Sequence, residues 1–310
     1  MSAPFTLRQL EYFDAIANEG SLAAAAERCR VSPSALGLAI DELERHLALQ
    51  LVVRRKGKGV VLTPAGTRVL QRARWLLSGA ESLADEARQA SQGISGRLDI
   101  GVYSTLAPFV VPGILERFRQ RHIDLEIDFV EGAAVELRDH LLQGRLDVAL
   151  MYQVDVPNQL AFDEVHAYRP HVLLPAGHRF SGRSEISLGE LVSEPLVMLD
   201  MPPARHNTEQ IFRSLDLRPW VAHHASSYEL ARCLVGRGLG YSVMFQRPRS
   251  TTTYDGHEIV ALDIVDRIEP TIVGLARPAG APLTARHRAL LEFLRRQTSE
   301  AQEAVAASPR

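Results

Sequence analysis

The sequence contains few of the residues that mark a secreted, metal-binding or catalytic protein. Only two cysteines, Cys29 and Cys233, occur among 310 residues, which is too few for a disulfide framework. We find no HExxH, CxxC or GxSxG motif and no glycine-rich phosphate loop after a predicted strand. His223 and His224 are adjacent, so they cannot present both rings to one metal ion from a helix face. An enzyme would therefore lack a recognisable nucleophile or acid–base pair.

Long apolar runs are also missing. No stretch approaches about 18 apolar residues, and Met1 to Thr6 show no basic segment followed by an apolar one. Both features argue against a membrane span and against secretion, so we expect a cytoplasmic protein. The apolar fraction of 46% is nevertheless sufficient for packed cores, and the length suggests two domains.

Lysine is nearly absent, and its position is informative. The net charge is −2, so a nucleic-acid contact would have to be local. The only two lysines, Lys56 and Lys58, follow Arg54 and Arg55 directly. The segment 45–74 holds eight Lys or Arg residues and no Asp or Glu. This pattern indicates either a phosphate-binding surface or a solvated basic loop.

Two short helices joined by a tight turn are predicted between Ser21 and Arg45. Ser21 is a natural N-cap and is followed by four strong helix formers. Ser32 caps the second helix, and Pro33 occupies its first position, where the missing N–H does no harm. The buried stripe of that helix is predicted to be Leu36, Ile40, Leu43 and Leu47. The spacing fits a helix-turn-helix, and an ordinary helical hairpin would show the same spacing.

The basic cluster lies at the tip of a predicted two-stranded hairpin. Apolar residues 51–53 and 60–62 supply the strands, and Gly57 and Gly59 lie in the turn. A hairpin that follows a helix-turn-helix is a wing, which can lie along phosphates or in a minor groove. The helix-turn-helix and the wing together predict DNA binding.

A long helix is predicted next, at residues 65–92, opened by the cap and proline of Thr63 and Pro64. Its apolar residues recur at alternating spacings of four and three, as in a two-helix coiled coil. They are Val69, Ala73, Leu76, Ala80, Leu83, Ala87 and Ala90. Alanine at half of these positions would make a weak seam. We expect a dimerising linker, and the alternative is a helix that packs on its own domain.

From residue 97 onward, predicted strands and helices alternate. This order is typical of an α/β domain with a mostly parallel sheet. Extended crossovers near residues 155–170 and 266–271 divide the pattern into two lobes. We expect lobe I at about residues 97–160 and 271–300, and lobe II at about 161–270. Ligands of such sheets lie beyond the carboxyl ends of the strands, where helix N-termini offer free amides to an anion.

Polar and aromatic side chains follow several predicted strand ends. Ser104 and Thr105 can bond a carboxylate or only cap the next helix. Arg205 can grip a carboxylate or remain solvated, and Tyr152 can form an aromatic wall or pack a crossover. The candidate ligand-binding set is Ser104, Thr105, Glu131, Tyr152, Met201, Arg205, Asn207, Ser226, Ser227, Phe245 and Arg247. Such a cleft would suit a small organic acid with an aromatic part.

The N-terminal motifs resemble those of LysR-type transcriptional regulators. The resemblance is carried by residues 25–36 (AAERCRVSPSAL), 51–54 (LVVR) and 61–66 (VLTPAG), and it extends along essentially the whole chain. Gly37, Leu38 and Ala39 depart from the Ser, Arg and Gln that are common in the recognition helix of this family. The resemblance implies an α+β multidomain protein. It would comprise a winged helix-turn-helix (1–64), a linker helix (65–92) and a two-lobed effector domain (97–300) similar to periplasmic solute-binding proteins.

The resemblance also implies function and partners. The protein would be a transcriptional regulator and not an enzyme, without a cofactor, that binds double-stranded DNA and a small-molecule effector. It would act as a homodimer or homotetramer without membrane contact, and RNA polymerase is a further candidate partner. The implied DNA contacts are Ser32, Pro33, Ser34, Gly37 and Leu38 in the recognition helix, with Arg54, Arg55, Lys56 and Lys58 in the wing. An enzyme and a ligand-independent architectural DNA binder remain as alternatives.

Overall fold

The computed structural model of this protein describes residues 4–55, 59–89, 94–248, 250–281 and 283–306. The first elements are α1 (Leu7–Glu19), α2 (Leu22–Arg28), α3 (Pro33–Leu47), β1 (Val52–Arg55) and β2 (Gly59–Leu62). The predicted caps are confirmed, because the side chains of Ser21 and Ser32 accept hydrogen bonds from the first turns of α2 and α3. Gly20 ends α1 at a φ of 62°, a left-handed conformation in which glycine is unstrained.

These five elements share one apolar core. Phe13 of α1, Leu36 and Ile40 of α3, and Leu51 before the hairpin are all fully buried in it. The hairpin is antiparallel, as predicted, and Val52 lies opposite Leu62. The helix-turn-helix with a wing is therefore confirmed.

A carboxylate fixes the hairpin on α3. Oε1 of Glu44 accepts hydrogen bonds from the backbone amides of Leu51 at 2.6 Å and Val52 at 3.0 Å. A carboxylate that accepts two amides is a strong anchor, since bonds to charged groups exceed neutral ones. The wing consequently starts at a fixed distance from the end of α3.

The long helix α4 (Pro64–Gln89) follows the wing directly. The hydroxyl of Thr63 accepts a hydrogen bond from the amide of Gly66 at 2.8 Å, which confirms the predicted cap. Leu70 and Ala73 are buried in the N-terminal core. The first turns of α4 are thus part of the N-terminal domain.

The remaining elements form two lobes. In chain order they are β3 (Gly96–Tyr103), α5 (Ala107–Gly113), a π-helical segment (Ile114–Phe118), α6 (Arg119–Arg121), β4 (Leu125–Gly132), α7 (Ala134–Leu142), β5 (Val148–Tyr152), β6 (Leu160–Tyr168), β7 (His171–Pro175), β8 (Glu185–Ile186), β9 (Pro195–Leu199), α8 (Ala204–Ser214), β10 (Trp220–Ala225), α9 (Tyr228–Gly236), β11 (Ser242–Met244), β12 (Ile259–Ile264), β13 (Thr271–Pro278) and α10 (Ala285–Ala306).

Lobe I contains a five-stranded sheet in the order β4-β3-β5-β13-β6. The predicted boundary near residue 160 is wrong, because β6 is a nine-residue strand of this sheet and pairs with β13 along its whole length. The segment resembled a crossover because β6 is an edge strand, and edge strands bury only part of their surface. Lobe I therefore extends to Tyr168.

Lobe II contains a four-stranded sheet in the order β11-β7-β12-β8 and the parallel pair β9-β10. The expectation of mostly parallel sheets is wrong. In lobe I, β13 is antiparallel to both β5 and β6, and in lobe II, β7 is antiparallel to both β11 and β12. The chain passes between the lobes by short connections after β6 and β12, so a strand can return in the opposite direction without a crossover helix.

We expect Glu44→Ala to loosen the wing. Two amides would lose their acceptor at a cost of about 1–3 kcal/mol, which corresponds to roughly five- to 150-fold faster local amide exchange. Amide hydrogen exchange at Leu51 and Val52 in the full chain measures this. Glu42→Ala is the matched control, because Glu42 accepts from the side chain of Gln9 and from neither amide. Unchanged exchange in Glu44→Ala would contradict the role of the carboxylate.

Candidate DNA-binding surface and effector cleft

The outward face of α3 carries small and apolar side chains. Ser32, Pro33, Ser34 and Ala35 at its start are exposed, and Leu38 is 69% exposed. In helix-turn-helix proteins, the first turns of this helix face the bases of a major groove. The structure therefore presents four of the five predicted helix contacts on a surface that DNA could reach.

Gly37 does not lie on that face, contrary to the prediction. Gly37 is buried, as is Leu36 before it. Consecutive helical residues point about 100° apart, so Gly37 and Leu38 point in different directions. A Cβ atom at Gly37 would lie 3.6 Å from a guanidinium nitrogen of Arg54. The wing thus packs against α3 at Gly37. Of Gly37 and Leu38, only Leu38 faces outward.

Arg54 links the wing to α3. Its Nη2 donates a hydrogen bond to Oδ1 of Asp41 at 2.8 Å, and both side chains are about half exposed. An exposed ion pair of this kind contributes only about 0–1 kcal/mol. It does place the guanidinium beside the recognition helix. No local sequence pattern predicted this pair, because the two residues belong to different elements.

Four of the predicted wing residues have to be considered apart from Arg54. The side chain of Arg55 and all of Lys56, Gly57 and Lys58 lie outside the described residues. Their roles as phosphate contacts stay predictions.

The apolar seam of α4 is divided between two uses. Ala73 is buried in the N-terminal core and Val69 packs against it, as the alternative interpretation expected. Leu76 is 49% exposed and Leu83 is 70% exposed. These two leucines keep the seam available for another helix, whereas the side chains of Ala87 and Ala90 lie outside the described part of the chain.

Arg74 of α4 connects the N-terminal domain with lobe I. Its Nε donates to Oδ1 of Asp14 at 2.5 Å and its Nη2 donates to Oδ1 of Asn18 at 2.6 Å, both in α1. Its Nη1 donates to the backbone carbonyl of Gln143 at 2.8 Å, at the end of α7. The side chain is only 13% exposed. One guanidinium therefore joins α1, α4 and lobe I.

Lobe I is shaped to receive this side chain. Gly144 follows Gln143 at a φ of 64°, and a Cβ atom there would lie 2.9 Å from both Cβ and Cδ of Arg74. Trp75 lies at the same junction, where it lines a small cavity with Leu146. The sequence contained no signal for this contact, because it joins residues 69 positions apart.

Tyr152 connects the two lobes by hydrogen bonds. It ends β5, is 2% exposed, and its hydroxyl lies 2.8 Å from the Thr105 hydroxyl of lobe I. Nε2 of Gln246, in lobe II, donates to the same hydroxyl at 2.8 Å. Tyr152 and Thr105 were predicted site residues, and both are buried polar groups with partners. Gln246 was missed, although it lies between the predicted Phe245 and Arg247.

A second contact between the lobes is aromatic. The rings of Phe109 in α5 and Tyr228 in α9 meet edge to face, with centroids 5.7 Å apart. The Tyr228 hydroxyl donates to the carbonyl of Gln246 at 2.5 Å. Burial holds the pKa of the phenols of Tyr152 and Tyr228 above the usual range, so both stay neutral hydrogen-bonding groups.

Ser104 and Thr105 do not cap α5 as expected. The N-cap of α5 is Leu106, and no side chain bonds its free amides. Thr105 bonds Tyr152 instead, and the hydroxyl of Ser104 lies 3.5 Å from the carbonyl of Gly132. The backbone supplies partners in the first turn of α5 instead, because the amide of Leu106 donates to the carbonyl of Tyr103, the amide of Phe109 donates to the carbonyl of Leu106, and Pro108 has no N–H.

Asp155 is an acidic group near the same strand ends. Burial raises its pKa, while the neighbouring hydroxyl of Tyr103 and the positive charges of His206 and Arg138 favour its ionised form. His206 belongs to α8 of lobe II, so charges from both lobes act on this carboxyl. Sequence reasoning overlooked Asp155 because no motif surrounds it.

Arg205 lies inside α8 and not in the loop before it, where it was predicted, and the helix begins three residues before Asn207, which was predicted to open it. The helix begins at Ala204, directly after two prolines. The guanidinium of Arg205 pairs with Asp200 at 3.0 Å and with Glu209 at 2.8 Å, the latter at helical i,i+4 spacing. Arg205 is half exposed and already has two partners, so an incoming carboxylate would have to replace one of them.

The other candidates lie around lobe II and the end of β4. Phe245 is buried in the core of lobe II and does not line the cleft, contrary to the prediction. Arg247 pairs with Asp263 at 2.7 Å. Ser227 caps α9 by accepting from the amide of Leu230. Glu131 and Ser226 are exposed, and Met201 is half-buried.

The two cysteines are far apart in the fold. Cys29 ends α2 in the N-terminal domain and Cys233 lies on α9 in lobe II, both as free thiols. Burial raises the pKa of each thiol, which lowers the fraction of reactive thiolate. Within the described ranges, no helix is long and apolar enough to cross a membrane, and no cluster of three or more His, Cys, Asp or Glu residues could hold a metal ion.

We expect Arg74→Ala to loosen the junction of α4 with lobe I. Hydrogen bonds to charged groups contribute about 1.5–3 kcal/mol each, and three would be lost. In a Trp220→Phe background, Trp75 is the sole tryptophan. Its fluorescence should shift to longer wavelength and be quenched more readily by acrylamide.

Two further variants make this test specific. Arg68→Ala removes an exposed arginine of the same helix and should leave Trp75 fluorescence unchanged. Gly144→Val pushes on Arg74 from the lobe I side and leaves Asp14 and Asn18 in place, so it should reproduce the Arg74→Ala shift. If neither Arg74→Ala nor Gly144→Val changes the emission, the three-way junction does not hold the domains together.

Both halves of the chain match families of known proteins. The helix-turn-helix family described as "Bacterial regulatory helix-turn-helix protein, lysR family" matches residues 7–67. The family described as "LysR substrate binding domain" matches residues 91–299. These two ranges correspond to the winged domain and to the two lobes.

Individual relatives agree with the family matches. The chain is 30% identical to the regulator TtuA of Agrobacterium vitis over 77% of this chain and 79% of that protein. It is 34% identical to HinK, a LysR family regulator of Pseudomonas aeruginosa, with a TM-score of 0.64 over 94% of this chain and 98% of that chain. Full-length OxyR of the same species is 25% identical, with a TM-score of 0.73 over 94% and 95%.

The predicted enzyme alternative is thereby set aside, since the relatives and the families are transcriptional regulators. A winged helix-turn-helix with an exposed α3, followed in order by a linker helix and a two-lobed domain, fits the matched families over nearly the whole chain. This protein belongs to the LysR family of DNA-binding transcriptional regulators and carries the family's effector-binding domain.

Proposed function

We propose that the protein is a homodimeric regulator that binds a small organic acid between lobes I and II. The bound acid sets the geometry of the DNA in the complex. The observation that carries this proposal is the bond between Tyr152 of lobe I and Gln246 of lobe II. A single hydrogen bond holds the two lobes together but does not prevent them from separating, because it contributes only about 0.5–1.5 kcal/mol net. A ligand that binds there can therefore shift the relative position of the lobes.

The DNA contacts are of two kinds, contacts to base edges and contacts to phosphates. The start of α3, with Ser32, Pro33, Ser34 and Leu38, enters a major groove. Arg54 lies beside that helix, and Arg55, Lys56 and Lys58 extend along the backbone or into the adjacent minor groove. The phosphate contacts supply affinity and orientation, and the helix supplies the choice of sequence.

The effector is a small organic acid with an aromatic part. Two features support this: the hydroxyls of Ser104 and Ser226, and the rings of Phe109 and Tyr228. Arg205 contributes by exchanging Asp200 or Glu209 for the ligand. The half-buried carboxyl of Asp155 favours an effector that also donates a hydrogen bond.

Arg74 carries the response to the DNA-binding domain. Its guanidinium bonds both the carbonyl at the end of α7 and two side chains of α1. When lobe I is displaced, α1 therefore either resists the displacement or moves with lobe I. In a dimer joined through Leu76 and Leu83, such a displacement changes the spacing of the two recognition helices and the bend of the DNA between half-sites. The tetramer and contacts with RNA polymerase rest on the family alone.

The second candidate is an architectural DNA binder that ignores small molecules. The existing partners of Arg205 favour it, because no unpaired cation is offered to an acid at that position. The two candidates differ in whether any ligand stabilises the protein.

Removing a wing charge tests DNA binding. We expect Arg54→Ala to weaken binding to all duplex sequences and to reduce the slope of log affinity against log salt by about one. Fluorescence anisotropy with a labelled duplex at several salt concentrations measures both. Arg213→Ala, on α8 in lobe II, is the matched loss of one arginine and should change neither. An unaltered affinity and slope in Arg54→Ala would show that the wing arginine does not contact phosphate.

A thermal-shift screen tests the effector. A panel of aliphatic and aromatic carboxylic acids, each with its uncharged amide, should contain acids that raise the melting temperature by several degrees. Binding to the native state adds about 2.7 kcal/mol when the ligand reaches 100 times its dissociation constant. Arg205→Ala should reduce the shift and keep ligand-free DNA affinity, whereas Arg213→Ala should retain both. If no acid shifts the melting temperature, the ligand-independent candidate is correct.

A further inference from the structure

The recognition helix has few groups that can form hydrogen bonds to base edges. Gly37 offers no side chain and is buried, Ala39 is apolar, and the hydroxyl of Ser32 accepts from the amide of Ala35 at 3.1 Å. Asp41, one turn beyond Leu38, is held by Arg54 at 2.8 Å. Most of the outward surface near the start of α3 is therefore apolar.

Leu38 is the most exposed large apolar residue of the N-terminal domain. It is 69% exposed, against 47% for Leu7 and 44% for Leu49. It follows Ala35 by three positions and Ser34 by four, so the three side chains share one face of α3. The face lies in the first two turns, where recognition helices contact bases.

The major groove contains one prominent apolar group, the 5-methyl of thymine. We infer that Leu38 recognises the 5-methyl group of a thymine in each DNA half-site. This inference rests on the proposed DNA-binding role of α3 and adds the chemistry by which the helix selects its sequence. Burial of the leucine against the methyl removes apolar surface of both partners from water, which no other base edge allows.

The wing makes this contact compatible with the acidic residues of α3. Asp41 and Glu42 lie three and four positions after Leu38, where free carboxylates would repel phosphates. Asp41 is paired with Arg54, and Glu42 accepts a hydrogen bond from the side chain of Gln9 at 2.9 Å. Both carboxylates are thus turned toward protein partners, and Leu38 is left facing outward.

The test exploits uracil, which pairs like thymine but lacks the methyl group. High-affinity duplexes are first selected from a random-sequence library with the full chain. Each thymine of the enriched half-site is then replaced in turn by deoxyuridine, and affinity is measured by anisotropy. For the wild type, we expect at least one position where uracil weakens binding by roughly three- to fivefold, as the loss of one buried methyl implies.

The Leu38→Ala variant completes a double-mutant cycle. At the sensitive position it should bind the thymine and uracil duplexes equally well, because the methyl group has lost its partner. Leu49→Ala, an exposed leucine beyond the end of α3, should keep the wild-type preference. Circular dichroism checks that both variants retain their helix content.

The remaining outcomes are distinct. If a sequence is enriched but no thymine is sensitive to uracil, or if Leu38→Ala keeps the sensitivity, the inference about Leu38 is overturned while the DNA-binding proposal stands. If the full chain enriches no sequence at all, sequence-specific DNA binding itself fails, and the inference fails with it.

Discussion

The arrangement of this regulator depends on one guanidinium. Arg74 donates to Asp14, Asn18 and the carbonyl of Gln143, and so it belongs to the packing of three parts of the chain. Its limited exposure reduces competition from water, and a planar group with five N–H donors suits three acceptors in different directions. A lysine could not satisfy the same three acceptors in this geometry. The positive φ of Gly144 gives the arginine its space in lobe I.

The contacts within the cleft are of another kind. Tyr152, Thr105 and Gln246 form a short chain of neutral hydrogen bonds, and Phe109 meets Tyr228 at a ring edge. Neutral bonds exchange with ligand or water at small net cost, whereas the charged junction at Arg74 is costly to break. The chain thus combines a firm joint between domains with a replaceable contact between lobes. In the proposed mechanism, a movement of one lobe would reach the DNA-binding domain through this combination.

Local sequence signals predicted the local structure well. Ser21, Ser32 and Thr63 cap the helices that their neighbours build, because a cap depends on three or four consecutive residues. The wing was predicted for the same reason, from two short apolar segments on either side of a basic turn that contains glycine. Strand β6 was missed, since an edge strand carries mixed polarity and its identity comes from β13, more than 100 residues later.

The site was predicted less completely because its geometry depends on pairs that are distant in sequence. Tyr152 and Thr105 were found from strand ends, but their partner Gln246 comes from the other lobe. Arg205 was placed in a loop, although α8 begins one residue earlier and supplies Glu209 as one of its two acidic partners, the other being Asp200 before the helix. Gly37 was assigned to the groove because helix spacing alone did not reveal that Arg54 covers it. In each case the deciding neighbour is supplied by tertiary packing.

In the proposed dimer, the exposed leucines of α4 would link the regulator's activity to its own abundance. The seam carries Val69, Leu76 and Leu83 but alanine at its other four positions, so it buries little area, and chains that pair there would separate readily when dilute. When most chains are single, the number of pairs grows with the square of chain concentration. A cell that doubles its supply of the protein would then quadruple the form that spans two half-sites. The occupancy of the promoter would then rise more steeply than in proportion to gene dosage, even without an effector.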